Sequence, residues 1–222
     1  MRLLLLFLLA SLTACGQSEI KKPKVNPEAK RLNDSAFKII AATWDYQKGL
    51  ELLDLATRID SNYFLGFSNK LAFQLQLKRY NDALISAKQL VRIRPNAPEP
   101  YTIAGVLYCM LGDTVTSKEY FQNALIYDDK ILDTMNKSNK ERYATFLMGK
   151  AINLILIGEE EKGKTILRQL YEQPVFSGEL DKMFKENLNS FINKSRREII
   201  ASMLNPEADE RSVVAPVSDQ IP

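Results

Sequence analysis

A period of 34 residues constrains the fold of this chain more than any other feature. Two sets of positions share this spacing, namely Tyr46, Tyr80 and Thr114, and then Ser61, Pro95 and Asp129. Each position falls where a turn between two helices, or the end of the second helix of a pair, is expected. A fixed period of this length indicates helical hairpins stacked side by side, because one hairpin cannot bury its apolar face alone. The sequence therefore predicts an all-α fold.

The segment 98–131 carries the clearest repeat. Pro98 and Pro100 suit the first turn of a helix, and Gly112-Asp113 provides a turn to a second helix. Small and bulky residues then recur at fixed places along both helices: Tyr101, Ala104, Gly105, Tyr108, Ser117, Phe121 and Ala124. This pattern resembles the tetratricopeptide repeat (TPR). The resemblance implies a right-handed α-solenoid of helix-turn-helix units, in which the first helix of each unit lines a concave groove.

The resemblance extends over residues 31–177. Four units are predicted, at about 30–63, 64–97, 98–131 and 144–177, the last displaced by an insertion near 132–143. Several positions depart from the pattern of the family, since polar residues replace the usual apolar ones: Asn33, Lys70, Gln74 and Lys150. Terminal repeats commonly depart in this way because one of their faces meets solvent.

The segment 178–204 follows the repeats and predicts a capping helix. Its apolar residues recur at helical spacing over about 179–203: Leu180, Met183, Phe184, Leu188, Phe191, Ile192 and Ile199. A solenoid exposes an apolar face at its end, so covering that face is the expected use of such a helix. From residue 205 to residue 222 the chain is polar and contains prolines, which predicts a disordered tail.

The N-terminus has the layout of a secretory signal. Arg2 is followed by an apolar run and by small residues up to Cys15, a stretch too short to span a bilayer stably. The segment 12–15, Leu-Thr-Ala-Cys, resembles the lipobox of bacterial lipoproteins. The resemblance implies a signal peptide at 1–14, lipidation of Cys15 by acyl chains such as palmitate, and a flexible tether at 15–30. The alternative is an ordinary signal peptide with a chance cysteine. Gly16 is not the aspartate that retains such proteins in the inner membrane, so the resemblance favours the outer membrane.

The composition argues against catalysis and against nucleic acid as a partner. The chain has no histidine and only two cysteines, so neither a histidine-based triad nor a metal site is predicted, and no cofactor or small-molecule substrate is expected. The net charge of +3, less the one charge of Arg2, leaves +2 on the chain that follows the signal. The pair Asp128-Asp129 is interpreted as belonging to a helix end. We therefore expect a protein that is not an enzyme.

Binding of a partner protein through the groove is the function that the resemblance implies. The predicted groove-facing residues lie on the first helices of units two to four: Ser68, Ala72, Leu75, Thr102, Val106, Met148, Ile152 and Ile155. Repeat proteins of this class that bind the C-termini of chaperones use a clamp of Lys, Asn and Arg side chains, which matches two carboxylates. At the corresponding positions here only Asn69 fits, which argues against such a clamp. The chain is thus expected to be an envelope adaptor anchored to the lipid bilayer. The alternative is a passive subunit of an envelope complex, whose groove is filled by its own C-terminal helix.

Overall fold

The computed structural model describes residues 25–204, and this part of the chain is all helical, without a strand. Its ten helices are α1 (Pro27–Thr43), α2 (Tyr46–Ile59), α3 (Phe64–Gln76), α4 (Tyr80–Ile93), α5 (Pro98–Met110), α6 (Thr114–Thr134), α7 (Lys140–Ile157), α8 (Glu160–Glu172), α9 (Glu179–Ile192) and α10 (Arg196–Leu204). The predicted all-α class of helix-turn-helix repeats is confirmed. The signal peptide, Cys15 and the tail from 205 to 222 lie outside the described residues.

The described chain divides into two compact units, one up to Ile93 and one from Arg94 onward. In the N-terminal unit, α1 packs on α2, α2 on α3, and α3 on α4. In the C-terminal unit the same serial packing links α5 to α9, and α10 returns to pack on α5 and α7. The first helices of neighbouring hairpins also touch, α1 with α3 and α5 with α7. Within each unit, consecutive hairpins thus pack on one another, as a repeat array requires.

Both units apply one packing rule to the second helix of each hairpin. Its first buried position is small in every case: Gly49, Ala83, Ser117 and Gly163. Four residues further on, all side chains are fully buried: Leu53, Ala87, Phe121 and Leu167. The small position allows close approach, since a Cβ on Gly163 would lie 2.4 Å from the backbone oxygen of Ala151. At Gly105, on a first helix, an added Cβ would lie 2.6 Å from the ring of Phe121.

Short polar sequences end one helix and begin the next. Gly112 and Gly158 adopt positive φ angles of 89° and 108°, where a side chain would be strained. The carboxylate of Asp113 then accepts a hydrogen bond from the backbone N–H of Thr116 at 3.0 Å, and so caps α6. The predicted turns at 112–113 and 158–159 are therefore present, and they orient consecutive helices so that their apolar faces meet.

Three boundaries differ from the prediction. Helix α1 begins at Pro27, inside the predicted tether, because Asn26 caps it and a proline is favoured in a first turn. Helix α6 runs on to Thr134 rather than ending near 131. The single helix predicted at 179–203 is two helices. Ser195 and Glu198 form a capping box between them, in which each side chain accepts from the other's backbone N–H.

Candidate binding pocket

The structure places the predicted groove residues of the N-terminal unit on α3. The hydroxyl of Ser68 donates to the backbone oxygen of Phe64 at 3.0 Å, within its own helix. Ala72 is half-buried against the core that contains Phe73, and Leu75 is buried. Asn69, the one match to a basic clamp, donates to the side chain of Asn33 at 2.7 Å, so it ties α3 to α1. These side chains are used mainly for packing.

In the C-terminal unit three predicted residues line one pocket, and two others do not. Thr102, Met148 and Ile152 line one pocket. Val106 and Ile155 are fully buried, so their prediction as partner-facing residues is corrected. Ile155 packs instead on the second helix of its own hairpin, since a Cβ on Gly163 would lie 2.6 Å from its side chain.

Helix α10 covers part of the face formed by α5 and α7. It packs on both helices, and the guanidinium of Arg196 donates to the backbone oxygen of Leu156, at the end of α7, at 2.6 Å. The same guanidinium lies 3.9 Å from the sulfur of Cys109 on α5. The short helix α10 thus lies on the first helices of the third and fourth hairpins.

A pocket of about 100 Å³ remains beside α10, bounded by α5, α6, α7, α9 and α10. Its walls are mainly apolar: Ile103, Phe146, Met148, Ile152, Phe191 and Met203. Six polar side chains also line it: Glu99, Thr102, Asp128, Thr145, Asn153 and Asn187. A concave, mostly apolar site with a few convergent polar groups is the usual form of a binding site.

A chain of buried hydrogen bonds joins three helices at this pocket. The hydroxyl of Thr102 on α5 donates to Oδ1 of Asn153 on α7 at 2.8 Å. The Nδ2 group of Asn153 donates in turn to Oδ2 of Asp128 on α6 at 2.7 Å. Within residues 25–204, this is the one hydrogen bond that Asp128 receives through its carboxyl group. These two hydrogen bonds fix the position of the Asp128 side chain, which is only 1% exposed.

The surroundings of Asp128 favour its neutral form. Burial raises the pKa of Asp128 to about 8; the hydrogen bond from Asn153 opposes the rise, and the charges of Glu99 and Asp129 add to it. Lys150 is the nearby cation that opposes the rise, but its ammonium lies 2.5 Å from the carboxylate of Asp129. With Oδ2 occupied as an acceptor, the proton of the neutral acid belongs on Oδ1.

Asn187 supplies a second incompletely bonded polar group. It lies on α9, lines the pocket and is 8% exposed. Its Nδ2 atom is buried and has no hydrogen-bond acceptor in the part of the chain that the structure describes. Buried polar groups are normally paired, so a buried donor at a pocket indicates room for a bound acceptor.

Sequence reasoning missed Asp128, Asn153 and Asn187. Asp128 was assigned to a helix end, but α6 continues past it, and the residue falls on the buried face after Phe121 and Ala124. That spacing of three and four residues was the signal that could have placed it in the core. Asn187 likewise interrupts the apolar stripe of α9. No group of three or more histidine, cysteine or acidic residues in the described range could hold a metal ion.

Comparison with known proteins yields partial likenesses. No protein-family model matches the chain. It is 32% identical over 116 residues to heat shock protein STI1 of Saccharomyces cerevisiae, a match that covers 51% of this chain and only 18% of that protein. Among solved structures it is similar to MamA, with 12% identity, a TM-score of 0.42 and coverage of 84% of this chain and 97% of the other. It is also similar to PilW, described as a widely conserved type IV pilus biogenesis factor, with 15% identity, a TM-score of 0.38 and coverage of 83% and 97%. The spacing and pairing of the helices identify the repeat fold itself as TPR-like.

Proposed function

We propose that this chain is a lipid-anchored adaptor of the bacterial cell envelope that recruits a partner protein through the pocket beside α10. The observation that carries the proposal is the pocket itself, where apolar walls surround a carboxyl group and an amide that lack full hydrogen bonding. A TPR-like fold supports protein binding rather than catalysis. Because the pocket lies in the C-terminal unit, we assign recruitment to that unit.

The anchoring part of the proposal rests on the sequence from residue 12 to residue 16. The segment Leu-Thr-Ala-Cys at 12–15, followed by Gly16, supports lipidation of Cys15 and attachment to the outer membrane. Two or three acyl chains hold a protein firmly, whereas a single chain holds it marginally. Within residues 25–204, no helix has both the length and the apolar character required to cross a membrane.

A passive structural subunit is the second candidate function. It is favoured by the packing of α10 on α5 and α7. In that case α10 and the pocket are internal features of the fold, and a larger complex holds the chain through its outer surface.

A site-specific photo-cross-link distinguishes the two candidates. A photoreactive amino acid is placed at Ile152, which lines the pocket, in the full-length protein in cells of a bacterial host. The matched control carries it at Ile126, an isoleucine of α6 in the same unit that is 49% exposed. After irradiation, adducts are identified by mass spectrometry.

The adaptor function predicts one discrete protein adduct from position 152 that is absent from position 126. Adducts from position 126 alone would support the passive subunit. An adduct of position 152 only with α10 of the same chain would show that the pocket is internal and would refute recruitment through it.

A further inference from the structure

The polar side of the pocket is acidic. Glu99 and Asp128 line it, and no lysine or arginine is among its lining residues in the described part of the chain. The ammonium of Lys150 is held by Asp129, 2.5 Å away. The lining of the pocket therefore presents acidic groups, and no basic group of its own, to an entering cation.

The carboxyl group of Asp128 is open to the pocket on one side. Oδ2 accepts the hydrogen bond of Asn153, while Oδ1 has no partner within residues 25–204. Gly149 lines the pocket, and a Cβ added to it would lie 3.8 Å from Oδ1. Because Gly149 has no side chain, nothing at that position shields Oδ1 from an entering group.

The buried Nδ2 of Asn187 points independently to a ligand. It is a hydrogen-bond donor without an acceptor, at the same pocket but on a different helix from Asp128. A polypeptide ligand supplies acceptors for such a donor in its backbone carbonyl oxygens.

The size and walls of the pocket suit one long side chain. A water molecule needs about 10–15 Å³ of such volume, so about 100 Å³ admits roughly seven to ten atoms of that size. Lysine and arginine side chains fall within this range. Their alkyl stems pack well on apolar surface, here Ile103, Phe146 and Ile152, while the charged head reaches a polar group.

We propose that the pocket receives one lysine or arginine side chain of a partner polypeptide, with Asp128 pairing its charge and Asn187 donating to a carbonyl oxygen of the same segment. This inference rests on the proposed protein-binding function. On binding, the proton of the Asp128 carboxyl group passes to the buffer, and the carboxylate left behind pairs with the ammonium or guanidinium. An apolar side chain of equal length leaves Oδ1 of Asp128 unpaired, and an acidic side chain is repelled.

The test uses the full chain and a set of acetylated, amidated pentapeptides. The central residue of the sequence Ala-Leu-X-Leu-Ala is lysine, arginine, norleucine or glutamate, and binding is measured by calorimetry in two buffers of different ionisation enthalpy. We expect the lysine and arginine peptides to bind about tenfold or more tightly than the norleucine peptide. At pH 7 their binding should release about 0.9 proton, and at pH 9 about 0.1, as a carboxyl pKa of about 8 requires.

Two variants test whether the preference for a basic peptide and the release of a proton depend on Asp128. Asp128→Asn should remove both the preference for a basic residue and the proton release. The matched control Asp133→Asn, at an exposed position of the same helix, should retain both. Proton release by the unaltered chain keeps the test decisive even if the variant at 128 folds poorly.

Two results would overturn the inference. If the norleucine peptide binds as tightly as the basic ones, recognition of charge is wrong although protein binding stands. If the basic peptides bind at no concentration up to millimolar, or bind without releasing a proton at pH 7, Asp128 does not pair with them. Failure of the proposed function is a separate result, the absence of any foreign adduct from position 152.

Discussion

Replacing Asp128 by asparagine should make this protein more stable at neutral pH and remove most of the pH dependence of its stability. The side chain is 1% exposed, and its pKa is about 8 in the folded chain against 3.8 for an ordinary aspartate. Asparagine has nearly the same shape, and its Oδ1 still accepts the hydrogen bond of Asn153. It differs in having no charge to bury when the pH rises.

The sign and size of the change in unfolding free energy with pH follow from the linkage between folding and proton binding. Between pH 4 and pH 8 the unfolded chain has lost the Asp128 proton while the folded chain keeps it, so raising the pH favours unfolding. The free energy of unfolding should fall by about 1.4 kcal/mol per pH unit, or about 3 kcal/mol from pH 5 to pH 7. At pH 7 the variant should be more stable than the unaltered chain by up to about 4 kcal/mol, and near pH 4 the two should be nearly equal.

Urea unfolding followed by circular dichroism at pH 5, 6, 7 and 8 measures this effect. The chain has no histidine, so no other side chain with an ordinary pKa has its titration midpoint between pH 5 and pH 7. Asp133→Asn, at an exposed position of α6, serves as the control and should keep the slope. A flat stability profile of the unaltered chain from pH 5 to pH 7, or an equal slope in the asparagine variant, would refute the reasoning.

Three further substitutions test the packing and the anchor. Gly163→Ala should destabilise the fold by about 1–3 kcal/mol, because its Cβ would lie 2.4 Å from a backbone oxygen of α7. Gly149→Ala, which meets nothing closer than 3.8 Å, should instead stabilise it by about 0.5–1 kcal/mol, and thermal melts giving the same sign for both would contradict this account. Gly105→Leu should cost several kcal/mol by displacing the ring of Phe121, so an unchanged melting curve would show that the third repeat is misaligned. Cys15→Ala should release the protein from membranes in a fractionation with a high-salt wash; its retention would mean that acyl chains are not the anchor.

Much of the fold could be predicted because the same pattern of small and bulky residues recurs in each hairpin. A small residue at the start of the second helix, as at Gly49 and Gly163, is required sterically, so its recurrence predicts the pairing. Glycines at turns, such as Gly112 and Gly158, provide a second local signal. Local signals also existed where the prediction was wrong. Ser195 and the glutamate three residues later mark a helix start within the segment predicted to be one helix.

The pocket could be predicted only in part, because its residues come from five helices. Thr102, Met148 and Ile152 were found because counting along first helices identifies one face. Asp128 and Asn187 lie on α6 and α9, which are not first helices of a hairpin. Whether their side chains line the pocket depends on which other helices pack against them. A single sequence gives the spacing of residues along each helix, but it does not give the partner of a buried polar atom.

The hydrogen-bond chain from Thr102 through Asn153 to Asp128 has a consequence for assembly of the array. Successive hairpins resemble one another, so a hairpin could dock on the wrong neighbour, or on the same hairpin of a second molecule, with its apolar surface still buried. Such a mispaired state would leave Asp128 buried without Asn153, and an unsatisfied buried polar group costs about 1–3 kcal/mol. In the N-terminal unit the pair Asn33 and Asn69 distinguishes neighbours in the same way. Polar contacts between otherwise interchangeable hairpins thus select the correct order of stacking, which apolar packing alone enforces weakly.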